Sequence, residues 1–282
     1  MKRYLKYLHP KYQKLILEYK VDFKPRYGHG LKPHKLLYAL IDSNRNEYHE
    51  FLGKIKSYTD IFLTFKDAAL EQDEALPVWN NDYLPGLDII ALYTMIREHK
   101  PRTYIEIGSG NSTKVAAKAI KDGNLPTRII SIDPSPRASI DLLAHQVIRK
   151  PLEDMVDLSI FGELEPNDIL FVDNSHRCFP NSDVTAIFLD VVPMLKKDVL
   201  FHLHDIYLPY DYPQFMCDRF YSEQYLIAVM LLSNPEKFDT ILPNFFISED
   251  PVLSGELTDL WENPGMPSVE RHGGSFWLKI DS

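Results

Sequence analysis

Tyr104-Ile105-Glu106-Ile107-Gly108-Ser109-Gly110-Asn111-Ser112-Thr113 continues into Lys114-Val115-Ala116-Ala117. Apolar and β-branched positions bracket a single acid over 104–107, two glycines alternate through the turn, and 113–120 has helical composition. The pattern predicts a buried strand ending in a glycine turn that opens a helix. Glycines let the backbone turn tightly and let a ligand come close, while the first amides of the helix offer donors and partial positive charge. A nucleotide-like ligand is expected on such a turn. A dinucleotide fingerprint would place a third glycine three residues after Gly110, where Thr113 stands. Glu106 at the strand end would repel a pyrophosphate, but it can accept hydrogen bonds from an amine or a ribose.

Outward from this turn the pattern is regular. Strands are expected over 103–107, 128–132, 146–148, 169–172 and 199–203, and helices over 87–99, 113–121, 137–144 and 183–195. Alternation of this kind implies a doubly wound, mostly parallel α/β sheet with ligands at the carboxyl ends of the strands. Further strands are expected over 238–247 and 275–280, after a helix at 225–232, and the excursion 249–273 reads as a flap or poorly ordered loop. Ahead of the sheet, helices over 2–20 and 46–65, a loop over 24–34 and an apolar turn at 35–41 suggest a helical cap over 1–75, leaving 76–282 as the catalytic domain.

The strand ends carry ionisable groups. Asp133 follows the second strand at the distance suited to a ribose diol, although Asp-Pro-Ser is also good capping chemistry. The fourth strand ends in Asp173-Asn174-Ser175-His176 and the fifth in His204-Asp205, so Asp173, His176, His204 and Asp205 should converge. The aromatic segment 206–221 reads either as a wall over these ends or as packed core.

The chain has 282 residues, 45% of them hydrophobic, and a formal net charge of -9. Residues 1–56 hold 13 Lys/Arg against 5 Asp/Glu, leaving 18 basic against 35 acidic residues beyond. An acidic body argues against nucleic acid as a partner. For the basic start three readings stay open: contact with an acidic face of a second copy (a homo-oligomer), a membrane surface, or a solvated helix face. Cys178 and Cys217 make no metal or disulfide spacing, no apolar run suits a membrane span, and a cytoplasmic protein is expected.

With those residues in place, 79–280 resembles the class I S-adenosylmethionine-dependent methyltransferases. The resemblance implies a Rossmann-like seven-stranded sheet with an antiparallel last strand. It assigns Glu106, Gly108 and Gly110 to the methionine end of the cofactor, Asp133 to the ribose, and Asp173 to the methyl-transfer pocket, with Ser109 and Ser112 of the same turn also expected to bind the cofactor. A metal-dependent subset holds magnesium or manganese on one acid after the fourth strand and two ligands after the fifth, a layout that Asp173, His204 and Asp205 match except that His204 replaces the usual acid. His176 stands where that subset carries its general base. The expected activity is O-methylation of a small-molecule or sugar hydroxyl. Two other functions stay open: a nicotinamide-dependent oxidoreductase, and a non-catalytic nucleoside-binding or scaffold domain.

Overall fold

The computed structural model describes residues 15–136 and 139–281. Seven strands form one sheet: β1 (Thr103–Ile107), β2 (Arg128–Ile132), β3 (Gln146–Ile148), β4 (Ile169–Val172), β5 (Leu200–Leu203), β6 (Phe238–Pro243) and β7 (Phe276–Ile280). Their spatial order is β3-β2-β1-β4-β5-β7-β6. The first five run parallel, and β7 pairs antiparallel with both β5 and β6. Order reverses between β1 and β4, which opens a crevice at their carboxyl ends, where ligands of such sheets bind. β4 and β5 are buried at every position, as expected of short apolar runs covered on both faces.

Helix α1 (Lys35–Asp42), α2 (Arg45–Lys56), α3 (Gly86–His99), α4 (Asn111–Gly123) and α5 (Glu223–Ser233) supply most of the cover. Gly86 to Ile96 of α3 are buried on every side, so this helix lies within the protein rather than on its surface. Its first turn carries Asp88, which is fully buried. A single hydrophobic cluster joins Leu37, Tyr48 and Phe62 of the N-terminal helices to Ile105, Phe201 and Trp277 of the sheet. No helix among the described residues is long and apolar enough to cross a membrane.

Several expectations need correction. Most of the helix expected over 2–20 lies outside the described residues, and 15–20 are irregular and exposed. The turn expected at 35–41 is the helix α1, started by the His34 side chain, which accepts from the Leu37 amide. The helix expected over 46–65 breaks after Lys56 and resumes as one turn at Thr59–Phe62. Residues 137 and 138 of the expected helix at 137–144 lie outside the described residues, and 139–144 form turns. The strand expected over 238–247 stops at Pro243, where a short helix at Asn244–Glu249 begins. The excursion 249–273 holds short helices at Pro251–Gly255 and Thr258–Trp261 that bury Leu253, Leu257, Leu260 and Trp261, so its first half packs as core, while Val269, Glu270 and His272 of its second half line a cavity. The aromatic segment 206–221 forms a small core of its own from Tyr207, Tyr212, Met216, Cys217 and Tyr221.

Candidate active site

The turn after β1 is fixed by sterics. Gly108 has φ +80°, and a Cβ there would lie 1.8 Å from the Asp173 carbonyl oxygen, so only glycine lets β1 and β4 end this close together. Gly110 is different: its backbone is extended and the space a Cβ would enter is open. The Ser109 amide and hydroxyl donate to Asp133 Oδ2 at 2.8 and 3.4 Å, and the Ser135 amide donates to Oδ1 at 2.7 Å. Asp133 therefore ties the two strand ends together while remaining half-exposed.

Glu106 does not face this opening. Its carboxyl is fully buried and hydrogen-bonded by Ser112, Thr113 and Tyr104. Burial pushes it up to about 8 despite those donors, so it is protonated at neutral pH. It braces the strand against the first turn of α4, and Ser112 is spent on the same brace. A cavity of about 310 Å³ opens beside the turn, lined by Gly108, Ser109, Asp133, Leu152, Glu153, Asp173 and Asn174 but not by Glu106.

A second cavity, of about 320 Å³, lies on the other side of Asp173. Its walls include Asn80, Asn81, Asp82, Tyr83, His176, His204, Asp205, Tyr207, Arg219, Tyr221 and Glu270. Asp173 is thus common to both cavities. Asn81 holds the wall in place, its side chain accepting from the Tyr83 and Leu84 amides and donating to the Val78 and Leu84 carbonyls.

Four of the expected residues meet here. His176 Nε2 stands 3.3 Å from Asp173 Oδ1 and 3.4 Å from Asp205 Oδ2. His204 Nδ1 stands 3.7 Å from both Asp173 Oδ1 and Asp205 Oδ1. Asp205 and His176 both sit in the left-handed backbone region, at φ +56° and +60°, a departure from the preferred regions that is common where a site fixes side-chain direction.

Two further residues, which sequence reasoning missed, hold the rings from behind. Asp88 Oδ2 lies 3.1 Å from His204 Nε2, and this carboxylate also accepts from the Gly274 and Ser275 amides and the Asn244 amide group. Glu223 Oε2 lies 3.1 Å from His176 Nδ1, and its other oxygen accepts from Asn174. Both acids occupy the first turn of a helix, where a sequence reads them as ordinary partners of the helix dipole.

Burial alone would lower both histidines, but the surrounding carboxylates reverse the shift. His204 is pushed up to about 9 by Asp88, Asp173 and Asp205, and His176 well above its ordinary value by Asp173, Glu223 and Asp205. Burial would raise Asp88, yet the bond and charge of His204, with Asn244 and Gly274, hold it below the usual carboxylate range. Burial keeps Glu223 above that range. The surrounding carboxylates thus favour the charged form of both rings.

Residues 105–206 match a family profile described as a methyltransferase domain. Residues 105–206 are thus similar to a methyltransferase domain, carried on a sheet of β3-β2-β1-β4-β5-β7-β6 order. An uncharacterized protein of Archaeoglobus fulgidus is 32% identical over 135 residues, 46% of this chain and 60% of the relative, so the match spans less than two thirds of that protein. Among solved structures, the S-adenosylhomocysteine-bound Podospora anserina methyltransferase PaMTH1 shares 15% identity over 82% of this chain and 88% of its own, with a TM-score of 0.43. An O-methyltransferase from Bacillus cereus in complex with S-adenosylhomocysteine shares 13% identity over 83% and 91%, with a TM-score of 0.37. Within the matched residues fall the glycine turn, both cavity-lining strand ends and every expected site residue from Glu106 to Asp205. Asp88 and Glu223 lie outside it.

Proposed function

We infer that this chain is an S-adenosylmethionine-dependent O-methyltransferase acting on a small polar acceptor, with polyols and sugars as the acceptor class. The observation that carries the reading is Asp173, which lies on the wall between two cavities of similar size, one beside the glycine turn and one rich in ionisable groups. The cofactor supplies a methyl group on a positively charged sulfur. On its side, Asp133 offers a carboxylate to a ribose diol, the Gly108–Gly110 turn leaves room for close approach, and Leu152 with Glu153 forms the opposite wall. Asp173 places negative charge beside the position a sulfonium would take.

On the acceptor side, Asn80, Asn81, Asp82 and Glu270 offer hydrogen-bonding groups and Tyr83, Tyr207 and Tyr221 offer ring faces, a combination suited to hydroxyls on one edge of a sugar and C–H groups on the other. Positive charge on His176 and His204 favours ionisation of a hydroxyl bound near them, and the carboxylates of Asp173 and Asp205 are the nearest groups able to take its proton. Methyl transfer from a sulfonium needs no covalent enzyme intermediate, so alignment across the Asp173 wall carries much of the rate.

Formation of S-adenosylhomocysteine, measured while the full chain is offered a panel of sugars, catechols and amines, tests the acceptor class. Turnover with hydroxyl acceptors that stops when the same hydroxyl is already methylated agrees with the reading. Turnover with amines alone contradicts it.

A further inference from the structure

Positive charge on the walls of the acceptor cavity is of two kinds. The rings of His176 and His204 face carboxylates through both nitrogens, and among the described residues no group of three or more His, Cys, Asp or Glu is set to hold a metal ion. Arg219 is different. It lines the same cavity as Asp82, Asp205 and Glu270, yet its guanidinium forms neither an ion pair nor a hydrogen bond among the described residues. Its contact is with a ring: the guanidinium carbon lies 4.8 Å from the Tyr221 centroid, a cation–π arrangement that holds the charge without neutralising it.

The chain around Arg219 is built to aim it. The helix Gln214–Cys217 closes with the Tyr221 amide donating to the Met216 carbonyl, and Phe220 takes the left-handed position at φ +63°. Glycine is the usual residue at such a helix end, and a bulky side chain there is strained. Phe23 holds Phe220 in place, edge to face at 4.9 Å, while the Gln214 side chain donates to the Phe23 carbonyl at 2.7 Å. From the other side Arg177 braces the loop, its Nε donating to the Arg219 carbonyl at 2.8 Å and its Nη1 to the Ser175 carbonyl at 2.6 Å. The Arg177 guanidinium carbon is itself 5.0 Å from the Tyr221 centroid, so two arginines share one ring. Tyr221 also connects this charge to the reacting end: its ring stacks on His176 at 4.8 Å, and His176 Nε2 stands 3.3 Å from Asp173 Oδ1.

We propose that Arg219 binds an anionic group of the acceptor, a carboxylate or a phosphate, so that the methylated hydroxyl belongs to an acidic sugar or polyol rather than a neutral one. The proposal rests on the O-methyltransferase reading of this cavity. A guanidinium presents a planar fork of N–H donors that matches either oxyanion. Asp173 and Asp205 repel an anion from the methyl-transfer end and leave that end to the hydroxyl, so opposite charges on the walls fix which way round the acceptor enters.

Matched acceptors offered to the full chain with S-adenosylmethionine provide the test: glucose, glucuronate and glucose 6-phosphate, then inositol and inositol phosphate, with S-adenosylhomocysteine formation followed. kcat/KM for the acid or the phosphate should exceed that of its neutral counterpart 100-fold or more, and the better of the two names the anion. Arg219→Ala should raise KM for that acceptor about 10–100-fold, the loss of a charge-assisted pair, with S-adenosylhomocysteine affinity kept, and Arg219→Lys should restore part of it. Calorimetry of the S-adenosylhomocysteine complex with glucuronate and with inorganic phosphate reads the anion without turnover, and Arg219→Ala should weaken that binding to the same extent. Neutral sugars turned over as well as their acids and phosphates overturn the proposal and leave the methyl-transfer reading standing, as does an unchanged KM in Arg219→Ala. Failure of both anions to bind folded protein overturns it too. Anion binding that depends on Arg219, with no hydroxyl methylated, keeps the anion site and removes the O-methyltransferase reading.

Discussion

The two sides of Asp173 are built on opposite principles. Beside the glycine turn Glu106 is spent on structure, pushed up to about 8 and bonded to three hydroxyls, and Asp133 accepts from Ser109 and Ser135 while its carboxylate stays half-exposed to the cavity. Ligand space there is made by backbone and by missing side chains. Across the wall, two imidazoles and four carboxyl groups are packed together with the inner ring nitrogens left facing one another's carboxylates. The difference teaches that an acid at a strand end is no guide to function until its partners are known. Glu106 is bonded to hydroxyls and holds a turn, whereas Asp173 and Asp205 face the buried rings of His176 and His204 at a cavity wall.

The contrast breaks most visibly at Gly108. Gly108→Val adds a branched side chain at φ +80° against the Asp173 carbonyl, and should cost about 5 kcal/mol or prevent folding, a loss at the top of the usual range for point substitutions. Chemical denaturation measures it, and a variant that melts like the parent would mean the two strand ends are not held this close. Next comes Asp88→Ala, which leaves the imidazolium of His204 buried without its partner and should cost about 3–5 kcal/mol by the same measurement. A loss under 1 kcal/mol would place His204 in contact with solvent.

Asp133→Ala should act on binding rather than folding. Removing a charged acceptor is expected to weaken S-adenosylhomocysteine by roughly 1.5–3 kcal/mol, read by calorimetry, and an unchanged affinity would remove Asp133 from the donor side. Glu106→Gln should have the smallest effect, under about 1 kcal/mol at pH 4, because the group it replaces is then neutral in the folded state and largely so in the unfolded one. The sign of its pH dependence is distinctive. A carboxyl raised to about 8 by burial binds its proton more tightly in the folded state, so its contribution to stability is full below the ordinary carboxyl range and is lost as pH rises through about 8. Glu106→Gln should therefore gain on the parent between pH 6 and 9, and parallel stability curves over that interval would show that Glu106 is ionised throughout.

The strands were legible because each is a short apolar run bounded by polar residues: 103–107, 128–132, 146–148 and 169–172 agree with the observed limits. The last two strands followed from the methyltransferase likeness as much as from pattern. The helices at 251–261 were missed because they are single turns, although Leu253, Leu257, Leu260 and Trp261 recur at helical spacing. Residues 139–144 form turns rather than the expected helix because they follow Pro134 and Pro136 and lack sustained apolar periodicity. Asp173, His176, His204 and Asp205 could be grouped from sequence because adjacent strand ends meet. Asp88 and Glu223 could not, since Asp88 is 116 residues from its ring and Glu223 is 47 residues from its own. Nothing local separates either from a surface acid at a helix start.

The central claim is that the cavity beside Gly108 holds the cofactor of a methyltransferase, and calorimetry on the full chain tests it most directly by titrating S-adenosylhomocysteine and NAD in parallel. The account predicts saturable one-to-one heat with S-adenosylhomocysteine, reduced by Asp133→Ala, and none with NAD. Binding of NAD with S-adenosylhomocysteine silent, in protein shown to be folded, would contradict it.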